Sequence, residues 1–395
     1  MLLGVTGGIA AYKAVQLARD LTLLGARVDV VMTGAAAHFV GALSFEGVTG
    51  RPVHQGILEP GHALDHIRLA READLVCVAP ATADFLARAA AGRSNDLLGA
   101  ILLATRAPVL VCPAMNDRMW AHPQTQANAG HVRAALGYEV VGPGIGPLAY
   151  DEGEGAGRMV EPDVVLQHIG RALAAPGPLR DRQVVVTAGP TREAVDPVRF
   201  VSNHSSGRMG FALAAAAWRR GADVTLVAGP AEVPPPPGPK LVSVDSAADM
   251  EEAVGAAVAH ADVLIMAAAV ADFRPAGPAS QKIKKQDAPG SIPLEPTADI
   301  LAGARAAMPE GAILVGFALE TQDAHANATK KLKAKDLDLV VLNDATRPGA
   351  GFGVETNEVV MLDRDGGEEA LPVLPKDEVA ECILDRVERL LGARR

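Results

Sequence analysis

Both halves of the chain open in the same way: a short apolar run passes through a threonine into a tight turn of small residues. The first turn is Thr6-Gly7-Gly8 and the second is Thr187-Ala188-Gly189-Pro190. Around the first, residues 2–6, 27–32, 74–79 and 107–112 are short, apolar and bounded by Gly or Pro. That pattern reads as buried strands. Residues 10–24 and 84–91 between them carry helical spacing. Strand–helix alternation implies a parallel, doubly wound sheet. The pattern breaks at Ala174-Ala175-Pro176-Gly177-Pro178 and restarts. Strands are then expected at 183–187, 223–227, 262–267, 312–317 and 337–342, with helices at 209–220 and 376–391. The run 234–237, four prolines, reads as a stiff loop. The expected fold class is therefore α/β, with two Rossmann-like domains at 1–178 and 179–395.

Composition narrows the function classes. Hydrophobic residues are 49% and charged residues 21%, as in globular proteins. The formal charge of −10 makes non-specific binding to nucleic acid or anionic lipid unfavourable. Aromatic residues, at 3%, are too few for base-stacking platforms. Cys77, Cys112 and Cys382 are far apart and form no CxxC, which fits a reducing cytoplasm and argues against a disulfide framework or zinc site. The first residues lack the basic start of a signal peptide, and Lys13 interrupts the apolar stretch. No window is long and apolar enough for a membrane span.

The first half carries one chemical constellation. Thr6-Gly7-Gly8-Ile9-Ala10-Ala11-Tyr12-Lys13 is a glycine turn between strand and helix, where backbone can approach a phosphate and the helix start favours the anion. It is not GxGxxG, so on its own it is equally a tight connection. Thr33, ending the second strand, offers a hydroxyl to the same phosphate or a helix cap. Ala79-Pro80-Ala81-Thr82-Ala83-Asp84 and Pro113-Ala114-Met115-Asn116 follow strand C-termini, where open α/β sheets bind ligands. Thr82, Asn95, Asp96 and Asn116 are expected to converge on one crevice, and His66 lies in Asp65-His66-Ile67-Arg68-Leu69.

In order, T-G-G-I-A-A-Y-K, H-I-R-L-A, A-P-A-T-A-D-F, G-R-S-N-D-L-L and P-A-M-N resemble the FMN-dependent cysteine decarboxylases, in particular those acting on phosphopantothenoylcysteine. The resemblance implies a flavodoxin-like domain with FMN held by Gly7, Gly8, Ile9, Thr33, Ala81, Thr82 and Met115. It implies His66 as the catalytic histidine and Asn116 as the residue near the substrate carboxylate. One position departs from the family. Its mobile flap carries a cysteine proton donor in a pattern like L-A-C-G, whereas residues 148–159 place Tyr150 there and run one residue longer. A tyrosine, with pKa ~10, is a weaker acid than a cysteine, with pKa ~8.5. Either Tyr150 or an acidic neighbour donates, or the final reduction is impaired.

The second half carries another constellation. Ser202-Asn203-His204-Ser205-Ser206-Gly207-Arg208-Met209-Gly210 is dense in hydroxyls, amides and glycines before a helix, which suits a phosphate. Lys331 and Lys335 are four apart on one side of an expected helix and offer a triphosphate two flexible charges. Asp272 is placed to meet a Mg2+ carried by that triphosphate. No G-x-x-x-x-G-K-[ST] occurs, so a P-loop is excluded. The motifs T-A-G-P-T-R-E, D-P-V-R-F, S-N-H-S-S-G-R-M-G, A-A-V-A-D-F, K-I-K-K and L-N-D resemble the CTP-using bacterial phosphopantothenate–cysteine ligases. That resemblance implies nucleotide binding by Met266, Ala267, Ala268, Asp272, Lys282, Ala298, Asp299, Ile300, Leu301, Phe317, Lys331 and Lys335. It implies Lys282 in cytidylyl transfer, with Asn203 and Arg199 holding the acyl-cytidylate.

Together the halves resemble the bifunctional bacterial proteins of coenzyme A biosynthesis. The implied chemistry joins cysteine to 4′-phosphopantothenate with CTP and Mg2+, then decarboxylates the product with FMN to 4′-phosphopantetheine. The implied assembly is a homo-oligomer, a dodecamer of decarboxylase trimers and ligase dimers, with no nucleic-acid or membrane partner. A ligase with an FMN-binding but poorly active or regulatory decarboxylase-like domain is the alternative.

Overall fold

A computed structural model of the chain describes residues 1–57, 63–287, 290–320, 322–344 and 354–394. The chain divides into two compact units, Met1–Leu173 and Ala174–Arg395, each with a sheet of its own.

The first unit holds six parallel strands. Their spatial order is Val53–His54, Asp29–Met32, Leu2–Val5, Val76–Ala81, Val109–Pro113 and Glu139–Val140. Numbered along the chain this is 3-2-1-4-5-6, the doubly wound order; without the two-residue edge strand Val53–His54 it becomes the flavodoxin-like 2-1-3-4-5. Every residue of Leu2–Val5 is buried, because helices cover both faces of such a sheet. Alternate side chains serve opposite layers: Leu3 and Val5 pack with Leu17 and Leu110, whereas Leu2 packs with Phe85 and Leu98. Helix Ala11–Leu23 buries Ala14, Leu17, Ala18 and Leu21, one stripe at helical spacing. The strand expected to stop at Ala79 runs through Pro80 to Ala81. Proline cannot donate to the ladder, and the register with Val109–Pro113 shifts between Val78 and Ala81 to pass it.

The second unit has an eight-stranded sheet. Six parallel strands lie in the order Lys240–Ser243, Asp223–Ala228, Gln183–Ala188, Val263–Met266, Ile313–Glu320 and Leu339–Asp344. Val359–Asp363 and Glu368–Ala370 add antiparallel at one edge. The parallel part again reads 3-2-1-4-5-6. Helices Arg208–Arg219 and Lys376–Ala393 cover one face, with Leu213 and Ile383 in the layer against Val184 and Val186. Helices Ala247–Val258, Ile300–Ala307 and Ala324–Ala334 cover the other, with Val254 and Leu332 against Val185 and Leu264. Among the described residues no helix is long and apolar enough to cross a membrane.

Candidate functional sites

In the first unit the strand order reverses between Leu2–Val5 and Val76–Ala81. Just past their C-terminal ends lies a cavity of about 1090 Å³. Thr6 ties its floor together: Oγ1 donates to the Pro80 carbonyl at 2.7 Å and accepts from the Thr82 amide at 3.1 Å. Gly7 is required by close approach, since a Cβ there meets the Ala35 carbonyl carbon at 2.8 Å. Thr33 is buried, and its hydroxyl accepts from the Ala36 amide at 3.3 Å, just ahead of the short turn Ala36–His38. Thr82 caps helix Ala83–Ala90 through the Phe85 amide at 3.2 Å. Asn116 caps Asp117–Ala121 through the Arg118 amide at 2.9 Å.

Gly7, Gly8, Ile9, Thr33, Thr82 and Met115 line this cavity. Asn95, Asp96 and Asn116 line it as well. Ala81 is buried in its strand, outside the lining, and accepts from the Ala114 amide at 3.0 Å. His66 sits half-buried in the first turn of Asp65–Glu72 and is not part of the wall.

The flap is a hairpin of Gly144–Pro147 and Glu154–Arg158. Its return strand is pinned beneath the loop that carries Asn116: the Met115 amide donates to the Gly157 carbonyl at 2.9 Å. A Cβ at Gly157 would come within 2.2 Å of the Met115 carbonyl oxygen. Tyr150, at the hairpin tip, is 100% exposed and outside the cavity wall, whereas Glu152 is part of it. Sequence reasoning missed Lys13. It is only 5% exposed, yet its ammonium donates to the Met159 carbonyl and to Glu161 Oε1, both at 2.9 Å. Burial pushes the Glu161 carboxyl up, but Lys13 and then Arg158 outweigh it and hold the group below its ordinary value. The signal was available, because a lysine on the buried stripe of a helix needs a partner.

In the second unit the reversal lies between Gln183–Ala188 and Val263–Met266, and a cavity of about 880 Å³ opens beyond them. Thr187 repeats the role of Thr6, its Oγ1 accepting from the Ala268 amide at 3.1 Å. Thr191 Oγ1 accepts from the Ala271 amide at 3.0 Å. Asn203 donates to the Val270 carbonyl at 2.9 Å, which holds the loop 202–210 against the loop after the central strand. Asp299 caps helix Ile300–Ala307 through the Ala302 amide at 3.1 Å and pairs with Lys335. Lys331 donates to the Phe317 carbonyl at 2.7 Å. Burial lowers the Lys331 pKa, opposed by Glu320, Asp272 and Asp299.

Met266, Ala267, Ala268 and Asp272 line the second cavity. So do Ala298, Asp299, Ile300 and Leu301, and also Phe317, Lys331, Lys335 and Asn203. Arg199 and Lys282 do not. These two are brought near each other elsewhere: Arg199 donates to the Ile283 carbonyl at 3.0 Å, and buried Asp196 accepts from the Ile283 amide at 3.2 Å. Burial raises the Asp196 carboxyl pKa, but three backbone amides and the Arg199 guanidinium hold it low. Arg208 of the run 202–210 and Asn343 of the L-N-D motif join the wall, and so do Asn357 and Lys376, which the sequence reading does not single out. Asn357 and Lys376 lie in separate segments with no common spacing to reveal them. Among the described residues no group of three or more His, Cys, Asp or Glu side chains is arranged to hold a metal ion.

Comparison with known proteins assigns both units. A family model described as "Flavoprotein" matches residues 1–173. One described as "DNA/pantothenate metabolism flavoprotein C-terminal domain" matches residues 179–391. The coenzyme A biosynthesis bifunctional protein CoaBC of Vibrio vulnificus strain YJ016 is 45% identical over 396 residues, covering 99% of this chain and 98% of that protein. The chain belongs to the CoaBC family. Its relatives of the same name in Escherichia coli K12 and Mycobacterium bovis are each 45% identical, covering 98% and 99% of this chain and 96% and 97% of theirs. Like those CoaBC proteins, the chain is a bifunctional enzyme with a flavoprotein part followed by a pantothenate-metabolism part.

Proposed function

We propose that residues 179–395 ligate cysteine to 4′-phosphopantothenate with CTP and Mg2+, and that residues 1–178 decarboxylate the product to 4′-phosphopantetheine with FMN. The observation that carries this reading is a cavity at the switch point of each unit, in a chain similar to CoaBC proteins over nearly its whole length.

The first cavity fits FMN. The Gly7 backbone lies bare beside Ala35, helix Ala11–Leu23 starts with no acidic residue in its first turn, and Ile9, Met115 and Leu148 give apolar wall. Gly7, Gly8, Ile9, Thr33, Thr82 and Met115 would hold it, with Ala81 beneath. FMN supplies the two-electron oxidation and reduction that convert a cysteine thiol into an electron sink and back. Asn116 orients the substrate carboxylate, and a flap acid, Tyr150 or Glu152, protonates carbon after CO2 leaves. His66 lies outside the wall of a single chain, and the reading gives it a role at a subunit boundary of a homo-oligomer built from decarboxylase trimers and ligase dimers.

In the second unit the 4′-phosphopantothenate carboxylate attacks the α-phosphorus of CTP, forming the acyl-cytidylate and releasing pyrophosphate. The cysteine amine then attacks the acyl carbon, and CMP leaves. Lys331, Lys335 and Phe317 would hold the nucleotide, Asp272 would meet Mg2+ brought by the triphosphate, and Lys282, which lies outside the cavity wall of a single chain, would have to approach to offset charge developing at the α-phosphate. Asn203 in the wall, and Arg199, which lies outside it beside the Lys282 segment, would hold the activated acyl group. The reading places the protein in the cytoplasm, where its substrates are made.

Purified full chain with FMN, 4′-phosphopantothenate, cysteine, CTP and Mg2+ tests the proposal by product mass. 4′-Phosphopantetheine is the expected product. Accumulation of 4′-phosphopantothenoylcysteine leaves the ligase alone, the reading that exposed Tyr150 favours. Neither product from folded protein overturns both.

A further inference from the structure

Among the described residues, four cationic side chains line the first cavity: Lys13, Arg88, Arg93 and Arg158. Three of them already hold carboxylates. Lys13 and Arg158 both pair with Glu161, at 2.9 and 2.5 Å. Arg88, whose side chain is only 14% exposed, pairs with Asp84 at 2.9 Å and with Asp96 at 2.7 Å. Arg93 is exposed, and no carboxylate among the described residues pairs with it. Asp96 is its nearest acidic neighbour in sequence, but Arg88 holds one oxygen of that carboxylate and the Gly99 amide donates to the other at 2.8 Å. Arg88 thus neutralises both aspartates of this part of the wall and leaves the Arg93 guanidinium open to a ligand.

The backbone beneath Arg93 is fixed from both sides. Helix Ala83–Ala90 ends with the Gly92 amide donating to the Ala89 carbonyl at 3.1 Å and the Arg93 amide donating to the Arg88 carbonyl at 2.9 Å. That paired ending needs a left-handed residue, and Gly92 has a φ of +63°. From the other side, helix Leu97–Ala104 comes so close that a Cβ at Gly99 would lie 2.6 Å from the Arg93 carbonyl oxygen. A side chain on a fixed backbone gives up less freedom on gripping a ligand than one on a loose loop. Thr82 caps the same helix at the cavity floor, so roughly 12 Å of helix lies between the floor and the loop of Arg93.

We infer that Arg93 is a specificity residue of the first unit that takes the 4′-phosphate of the decarboxylation substrate. The inference rests on the decarboxylase reading. That reading brings three anionic groups to the cavity: the FMN phosphate, the substrate carboxylate and the substrate phosphate. It gives the glycine turn to the first and Asn116 to the second. The third lies at the opposite end of the substrate from the carboxylate, and Arg93 is the cation of the wall with no carboxylate of its own. A guanidinium presents two parallel N–H donors that match two phosphoryl oxygens. Arg93 touches no reacting atom, so it acts on substrate affinity and leaves the chemical step alone.

Arg93→Gln in the full FMN-loaded chain tests this, with Arg93→Lys as the charge-conserving variant and thermal unfolding to establish folding. Each protein is read for kcat/KM on 4′-phosphopantothenoylcysteine and on pantothenoylcysteine, and for calorimetric affinity toward 4′-phosphopantetheine and pantetheine. Arg93→Gln should lower kcat/KM for the phosphorylated substrate about tenfold or more, through KM, and leave the unphosphorylated one within about twofold. Binding of 4′-phosphopantetheine should weaken by the same factor while that of pantetheine holds. Arg93→Lys keeps the charge without the fork and should fall between. An unchanged preference for the phosphorylated ligands overturns the inference. Equal losses on both substrates overturn it too, by placing Arg93 at the carboxylate, and so does loss of bound flavin, by placing it at the FMN phosphate. The calorimetric arm needs no turnover. Wild-type chain that binds 4′-phosphopantetheine through Arg93 but decarboxylates neither substrate would refute the decarboxylase reading and leave the phosphate subsite standing.

Discussion

Thr6 Oγ1 accepts a hydrogen bond from the Thr82 backbone amide at 3.1 Å, joining the two strand ends that flank the switch point of the first unit. The second unit repeats the bond from Thr187 to the Ala268 amide, also at 3.1 Å. In each case the hydroxyl is buried at the base of a cavity whose loops it holds at fixed separation. Thr6→Val keeps the shape but orphans the Thr82 amide and frees the Pro80 carbonyl. Such a loss costs about 1–3 kcal/mol. We expect Thr6→Val to lower the denaturation midpoint of the first unit and reduce the flavin retained on purification. Unchanged stability and flavin content would show that the bond contributes nothing.

These threonines also show how far the sequence could be read. Two strand–turn openings were enough to fix two doubly wound sheets and the edge on which their ligand cavities sit. Local spacing places strand ends well, because buried parallel strands are continuous apolar runs. It does not place what converges from distant segments. Lys376 and Arg208 reach one cavity from positions 168 residues apart, and no periodicity links them. Lys13 ends the glycine-turn motif, but its partners Met159 and Glu161 lie 146 and 148 residues away. Proline normally ends a ladder, so the sequence predicts a strand that stops at Ala79, and only the register shift reveals how it continues through Pro80.

Gly7→Ala should abolish flavin binding without unfolding the chain. The added methyl meets Ala35 Cβ at 2.4 Å and Ala35 backbone at 2.8 and 2.9 Å, contacts that a flexible side chain cannot relieve. The turn must move outward, into the cavity. Flavin absorbance per mole of protein measures the effect, and retention of wild-type flavin content would show that the turn does not contact the cofactor.

Glu152, not Tyr150, is the flap acid that reaches the cavity wall. If the described hairpin is the working form, Tyr150→Phe leaves 4′-phosphopantetheine formation within about twofold of wild type, whereas Glu152→Gln slows it about 100-fold or more, the scale of a lost general acid. The unreduced product then accumulates, two hydrogens lighter by mass. The opposite ranking would show that the flap swings Tyr150 inward during turnover.

Lys13→Met removes the strap between the first helix and the return strand of the flap. Glu161 is half-exposed, so solvent keeps the pair weaker than a buried one, and about 1–2 kcal/mol is expected from the lost charge-assisted bonds. The pair also sets an acid dependence. The folded Glu161 pKa lies below its ordinary 4.5, so its contribution is fully present above that value and is lost as pH falls through the depressed one. Urea unfolding of wild type should weaken over that window more steeply than unfolding of Lys13→Met. Parallel curves would show that the ion pair carries no stability.

Lys331 gives the second unit an alkaline counterpart of the same sense. Burial is the main cause holding its pKa below 10.5, while Glu320, Asp272 and Asp299 draw it back. Between the folded value and 10.5 the unfolded chain binds more protons than the folded one, so this group makes stability rise with pH there. Nucleotide binding runs the other way. A triphosphate is held by the charged ammonium, so affinity for CTP should be level at neutral pH and fall as pH rises through the depressed value. Bound polyphosphate restores the charged form and takes up a proton in that range. Calorimetry of CTP binding in two buffers of different ionisation enthalpy measures this uptake. Lys331→Met should weaken binding at neutral pH by about tenfold or more and abolish both the uptake and the alkaline fall. Persistence of the fall in Lys331→Met would show that Lys331 is not its source.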